Sequence, residues 1–445
     1  MPDLQNQEQP PKPSLNWLEK ARAAFAPEQE GGGTTDEGRK RAITLLFVCL
    51  IANGLGQTLM FAILPPLALD LGLDEFQVGS IFAVSATIWV FSSAYWGVRS
   101  DYWGRRPVIL IGLAAFGVST LGFASVMLFG LWGLTAPIVT YALLVATRSI
   151  YGIFGAGAYP AAQAYIADRT TAEERTEGMA TLNAAFGLGA AIGPGVGAAL
   201  IVFGEVAPLY FVAFLAFLSA AAIWLLLPER SRPRKREETK HLSWFDPRVV
   251  PFIIFAVVQG TAGAIPIQTI AFVIRDTLGT LTAETQQLTG VALMGSAIAA
   301  LFAQFVLVQR FKLTTKFLIY TGTLIALVSN VLVIVASNYG LIAFALVLSG
   351  LGFGMLRPGI AAAASLAVSQ DEQGAVAGLT SGAGASGFIF APLIGNALYL
   401  WSPTLPYWLG TLLLAGLFLY VVTNPRLKIA VIQRHAETTP PDPPA

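Results

Sequence analysis

Two arginines stand where hydrocarbon is expected. Arg148 falls inside the apolar run 138–166 and Arg357 inside 340–368. A guanidinium is charged at every physiological pH, and placing one in a bilayer costs from about 2.5 kcal/mol upward. Each therefore needs a partner or a water-filled cavity. The chemistry that suits the group is a bidentate grip on a carboxylate or phosphate. One reading has both arginines lining a central cavity and attracting an anionic substrate group. The other is structural, with each satisfied by backbone carbonyls and by amides such as Asn53 or Gln57. The chain has 26 Asp and Glu, and none falls in the middle of any apolar run. The substrate is then the natural missing counter-charge.

Further polar and aromatic residues share these runs: Asn53 and Gln57 in the first, Tyr151, Tyr159 and Gln163 in the fourth, Gln259 and Gln268 in the seventh. Asn53 and Gln57 are four apart and share a helix face, as do Tyr159 and Gln163. Polar side chains in hydrocarbon turn toward a bundle interior. For any one of them, an interhelical hydrogen bond and a ligand contact are equally consistent readings.

The elements that hold these residues follow from composition. Of 445 residues 55% are hydrophobic and only 12% charged, about half the charge of a soluble domain. Twelve long apolar runs recur, from 42–69 to 404–424. Most exceed the length that crosses a bilayer as a helix, and no alternating ten-residue pattern of a β-barrel is present. The expected fold is an all-α membrane protein of twelve transmembrane helices. Apart from Arg148, Arg275 and Arg357, all of the 27 Lys and Arg fall on one face. By the positive-inside rule that face is cytoplasmic, and both termini lie there. Residues 1–41 are polar, so no cleavable signal peptide is expected; Leu15 to Phe25 fits either a short interfacial helix or a disordered tail. The lone Cys49 is read as a packing residue.

The runs divide into two halves. The expected organisation is a cytoplasmic tail over 1–41, a six-helix bundle over 42–227, a charged cytoplasmic linker over 228–249, a second bundle over 250–424 and a cytoplasmic tail over 425–445. Gly155, Gly157 and Pro160 recur as Gly352, Gly354 and Pro358, and Pro194 recurs as Pro392. A near-constant offset marks a duplicated bundle, an organisation found in transporters that rock about a midplane site.

Three motifs carry a family resemblance. After the second run stands Gly97-Val-Arg-Ser-Asp101-Tyr-Trp-Gly104-Arg105-Arg106. The fourth run holds Arg148-Ser-Ile-Tyr151-Gly152, and the fifth holds Gly189-Ala-Ala-Ile-Gly193-Pro194-Gly195-Val-Gly197. In these positions the chain resembles the major facilitator superfamily over essentially all of 42–424, and within it the twelve-span drug:proton antiporters, the tetracycline-exporter-like and multidrug efflux branch. The resemblance implies two pseudo-symmetric six-helix bundles and alternating access. It also implies that the loop of Gly97, Asp101, Gly104, Arg105 and Arg106 latches the halves on the cytoplasmic side. The stripe Gly189, Gly193 and Gly197, with Pro194 permitting a bend, would make a close sliding contact with a helix of the other half; Gly378, Gly382 and Ser386 form a similar stripe in the eleventh run. Arg148 matches the family arginine near the proton-carrying acid, and Asn53 occupies that acid's usual place.

The function these features imply is export of a small amphipathic, drug-like or anionic compound across the inner membrane, with protons as the candidate coupling ion. Uptake or exchange of an organic anion, or a non-transporting sensor, are the alternatives. Both histidines lie in polar segments, and the runs hold no acid pair or nucleophile with its base, so an enzyme is not expected. No nucleotide-binding loop is present. No cofactor, metal site or nucleic-acid partner is expected; the lipid bilayer and a small molecule are the partners, and the protein is expected to act as a monomer.

Overall fold

The structure is a computed structural model that describes residues 36–170, 172–228, 242–311, 313–369 and 372–424. The segment Leu15 to Phe25, most of the charged linker and the C-terminal tail lie outside these residues. Twelve membrane-length helices are present: α1 (Gly38–Ala68), α2 (Glu75–Trp103), α3 (Arg105–Leu131), α4 (Pro137–Ala167), α5 (Gly178–Phe203), α6 (Ala207–Leu226), α7 (Val250–Leu278), α8 (Thr282–Arg310), α9 (Thr315–Ile334), α10 (Tyr339–Leu366), α11 (Gln373–Trp401) and α12 (Leu405–Thr423). They form two pseudo-symmetric six-helix bundles, α1–α6 and α7–α12.

Their ends are set by local chemistry. Asp74 caps α2 reciprocally: it accepts from the Gln77 amide at 2.7 Å, while the Gln77 side chain accepts from the Asp74 amide at 3.0 Å. Two orphan donors are thereby satisfied. Gly104 ends the same helix at φ 95°, a conformation that penalises any residue with a Cβ. Thr314 and Asn338 cap α9 and α10 through their side chains. The helices overrun several of the charge-free runs, because charged terminal turns continue the helix into the interface. Thus α2 carries Arg99 and Asp101, and α8 begins at Thr282 with Glu284 in its first turn. Carboxylates that enter helices do so at such ends, as Glu75, Asp101, Asp276 and Glu284 do.

The duplication is not followed in every detail. Around Gly155 to Gly157 α4 tightens into one 3₁₀ turn, whereas α10 runs unbroken through Gly352, Gly354 and Pro358. A break at Ser386 divides α11, and the last eight residues of α8, Ala303–Arg310, wind as a π-helix.

Small residues bring α1 and α5 backbone to backbone. A Cβ on Gly189 would collide with the Ile51 carbonyl, one on Gly193 with the Leu55 carbonyl, and one on Gly54 with the Phe186 carbonyl. Thr58 adds a hydrogen bond to the Ala190 carbonyl at 2.9 Å. Gly197 meets Leu59 of α1. The stripe therefore packs within its own half, which corrects the expected contact with the other half. The reason lies in the neighbouring face, whose Pro194 carbonyl meets Gly290 and whose Gly195 meets Met294, both on α8. In the second half Gly260 of α7 packs against Gly384 and Gly387 of α11. The expected stripe of Gly378, Gly382 and Ser386 is not the packing face, since Gly378 has open space beside it and Gly382 meets only Trp244 at 3.8 Å.

Candidate functional site

By sequence, all Lys and Arg except Arg148, Arg275 and Arg357 lie at the end where α1 begins and α2 ends, here the cation-rich end; the other is the cation-poor end. The two halves touch at the cation-poor end. Hydrogen bonds join described residues of opposite halves there, among them Gln286 to the Ile63 carbonyl at 3.2 Å, Asn396 to the Glu75 carbonyl at 2.8 Å, and Arg275 to the Pro66 carbonyl at 2.8 Å. Deeper along α1, Phe61 stacks on Phe388 across the halves at 6.0 Å between centroids. These contacts close one side above the polar residues of α1 and α4.

Below the Phe61–Phe388 contact is Arg148. It is 5% exposed. Its Nη2 donates to the Gln57 Oε1 at 3.0 Å, and its guanidinium carbon sits 5.0 Å from the Tyr151 ring centroid. Its Nε and Nη1 have no acceptor in the structure. Tyr151 packs on Phe116 with centroids 5.1 Å apart, and its hydroxyl interacts with Gln57 and Trp89. Asn53 is buried one turn from Gln57. A buried cation with open donor sites beside aromatic rings is equipped to receive an anion that carries an apolar body.

A second tier lies nearer the cation-rich end. The Tyr159 hydroxyl donates to Asn183 of α5, and its ring packs on Phe186 at 5.6 Å. Gln163 interacts with the same hydroxyl. Arg357 is exposed although it lies within α10. At about 1.5 Å per residue, Arg148 is about 17 Å along α4 and Arg357 about 27 Å along α10, both from the cation-poor end. The two arginines therefore occupy different depths, about 10 Å apart along the bundle, and in the repeat Arg357 corresponds to Tyr159 and Pro160, not to Arg148. Of the α7 amides, Gln259 is buried, and Gln268 is 1% exposed with neither amide atom hydrogen-bonded.

Sequence reasoning missed Asn183, Phe186, Trp89 and the cross-half pair Phe61–Phe388. Asn183 was the one with a legible signal, being an amide within an otherwise small and apolar stretch of the fifth run. The aromatic residues carry none, because rings are common in any apolar run.

At the cation-rich end Asp101 and Arg105 of the Gly97 to Arg106 segment find partners within their own half. Asp101 pairs with Arg105 at 2.6 Å, and Arg105 reaches Asp168 through its Nε at 3.0 Å and Ser100 at 2.6 Å. Arg106 donates to the Trp224 carbonyl, and Gly97 has no neighbour where a Cβ would stand. In the other half Arg248 grips Glu372 with two hydrogen bonds of 2.9 and 3.0 Å and also holds Asp246 at 2.8 Å. Hydrogen bonds from Arg248 and Ser369 hold the Glu372 carboxyl down at about 2. This clip is thus fully formed above the ordinary carboxylate range and is lost only as pH falls through about 2.

Comparison with known proteins agrees with this architecture. The sequence profile of the Major Facilitator Superfamily matches residues 46–281 and 249–443. The chain is 28% identical over 390 residues to Multidrug resistance protein 1 of Bacillus subtilis (strain 168), covering 85% of this chain and 95% of that protein. It is 25% identical over 401 residues to the class B tetracycline resistance protein of Escherichia coli, covering 85% and 93%. Its fold is similar to that of a bacterial homologue of the human lysosomal transporter Spinster in an inward-facing, occupied conformation, with TM-score 0.64, 16% identity and coverage of 88% and 95%. It is also similar to the human organic anion transporter MFSD10 (TETRAN), with TM-score 0.58, 19% identity and coverage of 86% and 99%. With both halves matched, and the helices, repeats and interhalf seam arranged as described, the chain belongs to the Major Facilitator Superfamily.

Proposed function

We propose that this membrane transporter works by alternating access and exports a small amphipathic anion across the inner membrane, with its cation-rich end and both termini in the cytoplasm. The observation that carries the anionic substrate is Arg148, buried with two unbonded nitrogens in a bundle whose helices have no mid-span carboxylate. Desolvating a guanidinium is costly unless a counter-charge arrives, and an anionic ligand is the group that supplies it. The aromatic surroundings of Tyr151, Phe116 and Trp89 suit an apolar body. Export is the direction that would give resistance, and the relatives include multidrug and tetracycline resistance proteins.

Arg357 plays the earlier part in this reading. Exposed and nearer the cytoplasm, it draws the anion in before Arg148 binds it, since a cation at a cavity mouth raises local anion concentration. Arg357→Gln is expected to weaken anion binding about threefold to tenfold, with the loss fading at high salt and no change in melting temperature. Titration at low and high ionic strength, read by intrinsic fluorescence, checks this.

The reading as a whole is tested by a thermal-shift screen in detergent, with aromatic carboxylates and sulfonates beside lipophilic cations. A ligand at 100 times its Kd adds about 2.7 kcal/mol of stability, so a genuine ligand moves the melting curve visibly. Stabilisation by anions alone supports the proposal; stabilisation by cations alone overturns it. Uptake or exchange of the same anions is the second reading, supported by the likeness of the site to an anion receptor in either direction of transport.

A further inference from the structure

The closed seam at the cation-poor end is made of polar contacts, and one residue stands at its centre. Arg275 is the only Lys or Arg that the sequence places at this end. It occupies the last turn of α7, which closes on Gly279 at φ 64°. From there it reaches across to the other half. Its Nη1 donates to the Pro66 carbonyl at 2.8 Å, and its Nη2 approaches the Asp70 carboxylate at 3.5 Å. Pro66 lies among the last four carbonyls of α1, which lack intrahelical donors and carry the negative end of the helix dipole. A guanidinium from the second bundle therefore caps the first helix of the first bundle.

The other bonds of the seam surround this cap. Thr282 donates to the second oxygen of Asp70, and Gln286 donates to the Ile63 carbonyl at 3.2 Å and the Glu205 carbonyl at 3.4 Å. Asn396 reaches the Glu75 carbonyl, and Gly79 lies so close to the Pro392 carbonyl that a Cβ would not fit. Yet Gln286 and Asn396 each keep a buried side-chain oxygen without a donor. Closing the seam therefore leaves polar atoms dry, and opening it returns them to water. Such a contact is easily reversed unless something specific holds it shut. At the other end Asp101 and Arg105 are already paired within one half.

We infer that Arg275, capping α1 and paired with Asp70, is the ionic pin that holds the transporter closed at the cation-poor end. It must release each time that side opens. The inference rests on alternating access and is independent of what is carried. Asp70 is the partner that orients the pin, and Thr282 in turn orients Asp70.

The test is a distance measurement by double electron–electron resonance on the full chain in lipid nanodiscs. In a Cys49→Ala background, Leu134→Cys and Val335→Cys place spin labels on exposed loops of opposite halves at the cation-poor end, away from the seam. The Arg275→Gln variant is expected to raise the fraction of molecules in a longer-distance population about tenfold. Asp70→Asn keeps the shape of the partner and the bond from Arg275 to Pro66, and is expected to raise it about threefold. It guards against misfolding of the first variant, and anion binding in the thermal-shift assay reports separately on the substrate reading. Distance distributions unchanged from the parent in both variants would overturn the inference.

Discussion

The Gly193→Val variant is expected to lose most of its folded population, while Gly187→Ala is expected to melt at the same temperature as the parent or slightly above it. The two glycines belong to one helix and differ only in what faces them. A Cβ on Gly193 would run into the Leu55 carbonyl and the Thr58 hydroxyl, whereas nothing stands within 4 Å of the corresponding point at Gly187. A backbone carbonyl cannot rotate away as a side chain can, so α1 and α5 must part. Overpacking of a tight core typically costs about 1–3 kcal/mol and occasionally more. Here parting the helices also lengthens the Thr58 to Ala190 bond and separates Gly54 and Gly189 from their neighbours. Against that, replacing glycine within a helix gains only about 1 kcal/mol. The clash wins at Gly193, and propensity wins at Gly187. Melting curves of the detergent-purified variants, with size-exclusion profiles to count folded material, decide the matter. Equal stability of the two variants would mean that the α1–α5 contact is looser than its geometry indicates.

Replacing Arg148 with glutamine is expected to weaken anion binding between about 10-fold and 100-fold, the worth of a charge-assisted hydrogen bond of about 1.5–3 kcal/mol. Melting temperature separates the two readings of this residue. If Arg148 is structural, its loss orphans Gln57 and destabilises the bundle. If it waits for an anion, the ligand-free protein bears the cost of a buried guanidinium with two unbonded nitrogens, and removing that charge leaves stability unchanged or higher. Glutamine can still donate toward Gln57, so the neutral pair survives. Weaker anion binding is expected together with a melting temperature that holds or rises. A fall in both, with no ligand specificity in the loss, would assign Arg148 to structure.

Much of this was readable from the chain because a bilayer punishes charge so severely. The twelve helices and the halves they form follow from where the scarce charges stand, and Arg148 and Arg357 were conspicuous for the same reason. Helix ends were less legible, since a charged turn such as Arg99 to Trp103 continues the helix after the apolar run has ended. Helix faces were hidden more deeply. Gly189, Gly193 and Gly197 announce close packing, but spacing alone does not say against which helix. The answer, α1 of the same half, depends on Pro194 and Gly195 turning the adjacent face toward α8. The repeat offset already sets Arg357 against Tyr159 and Pro160 and not against Arg148, but that Arg148 is buried while Arg357 is exposed shows only once the helices pack. The cross-half seam was the least legible part. Asn396, Gln286 and Arg275 look like ordinary polar residues at helix ends until the other half supplies their partners.

If Arg148 holds an organic anion in transit, flux from proteoliposomes will show it. The probe is an aromatic sulfonate, which stays charged at every pH, loaded inside vesicles with an imposed inside-negative potential and a protonophore to remove any proton gradient. Moving one negative charge outward through about 100 mV releases about 2.3 kcal/mol, enough to drive efflux without protons. Efflux is expected to accelerate with the potential and to fall at least tenfold in the Arg148→Gln protein. Efflux no faster than from empty vesicles, accompanied by proton-gradient-driven efflux of a lipophilic cation, would contradict it.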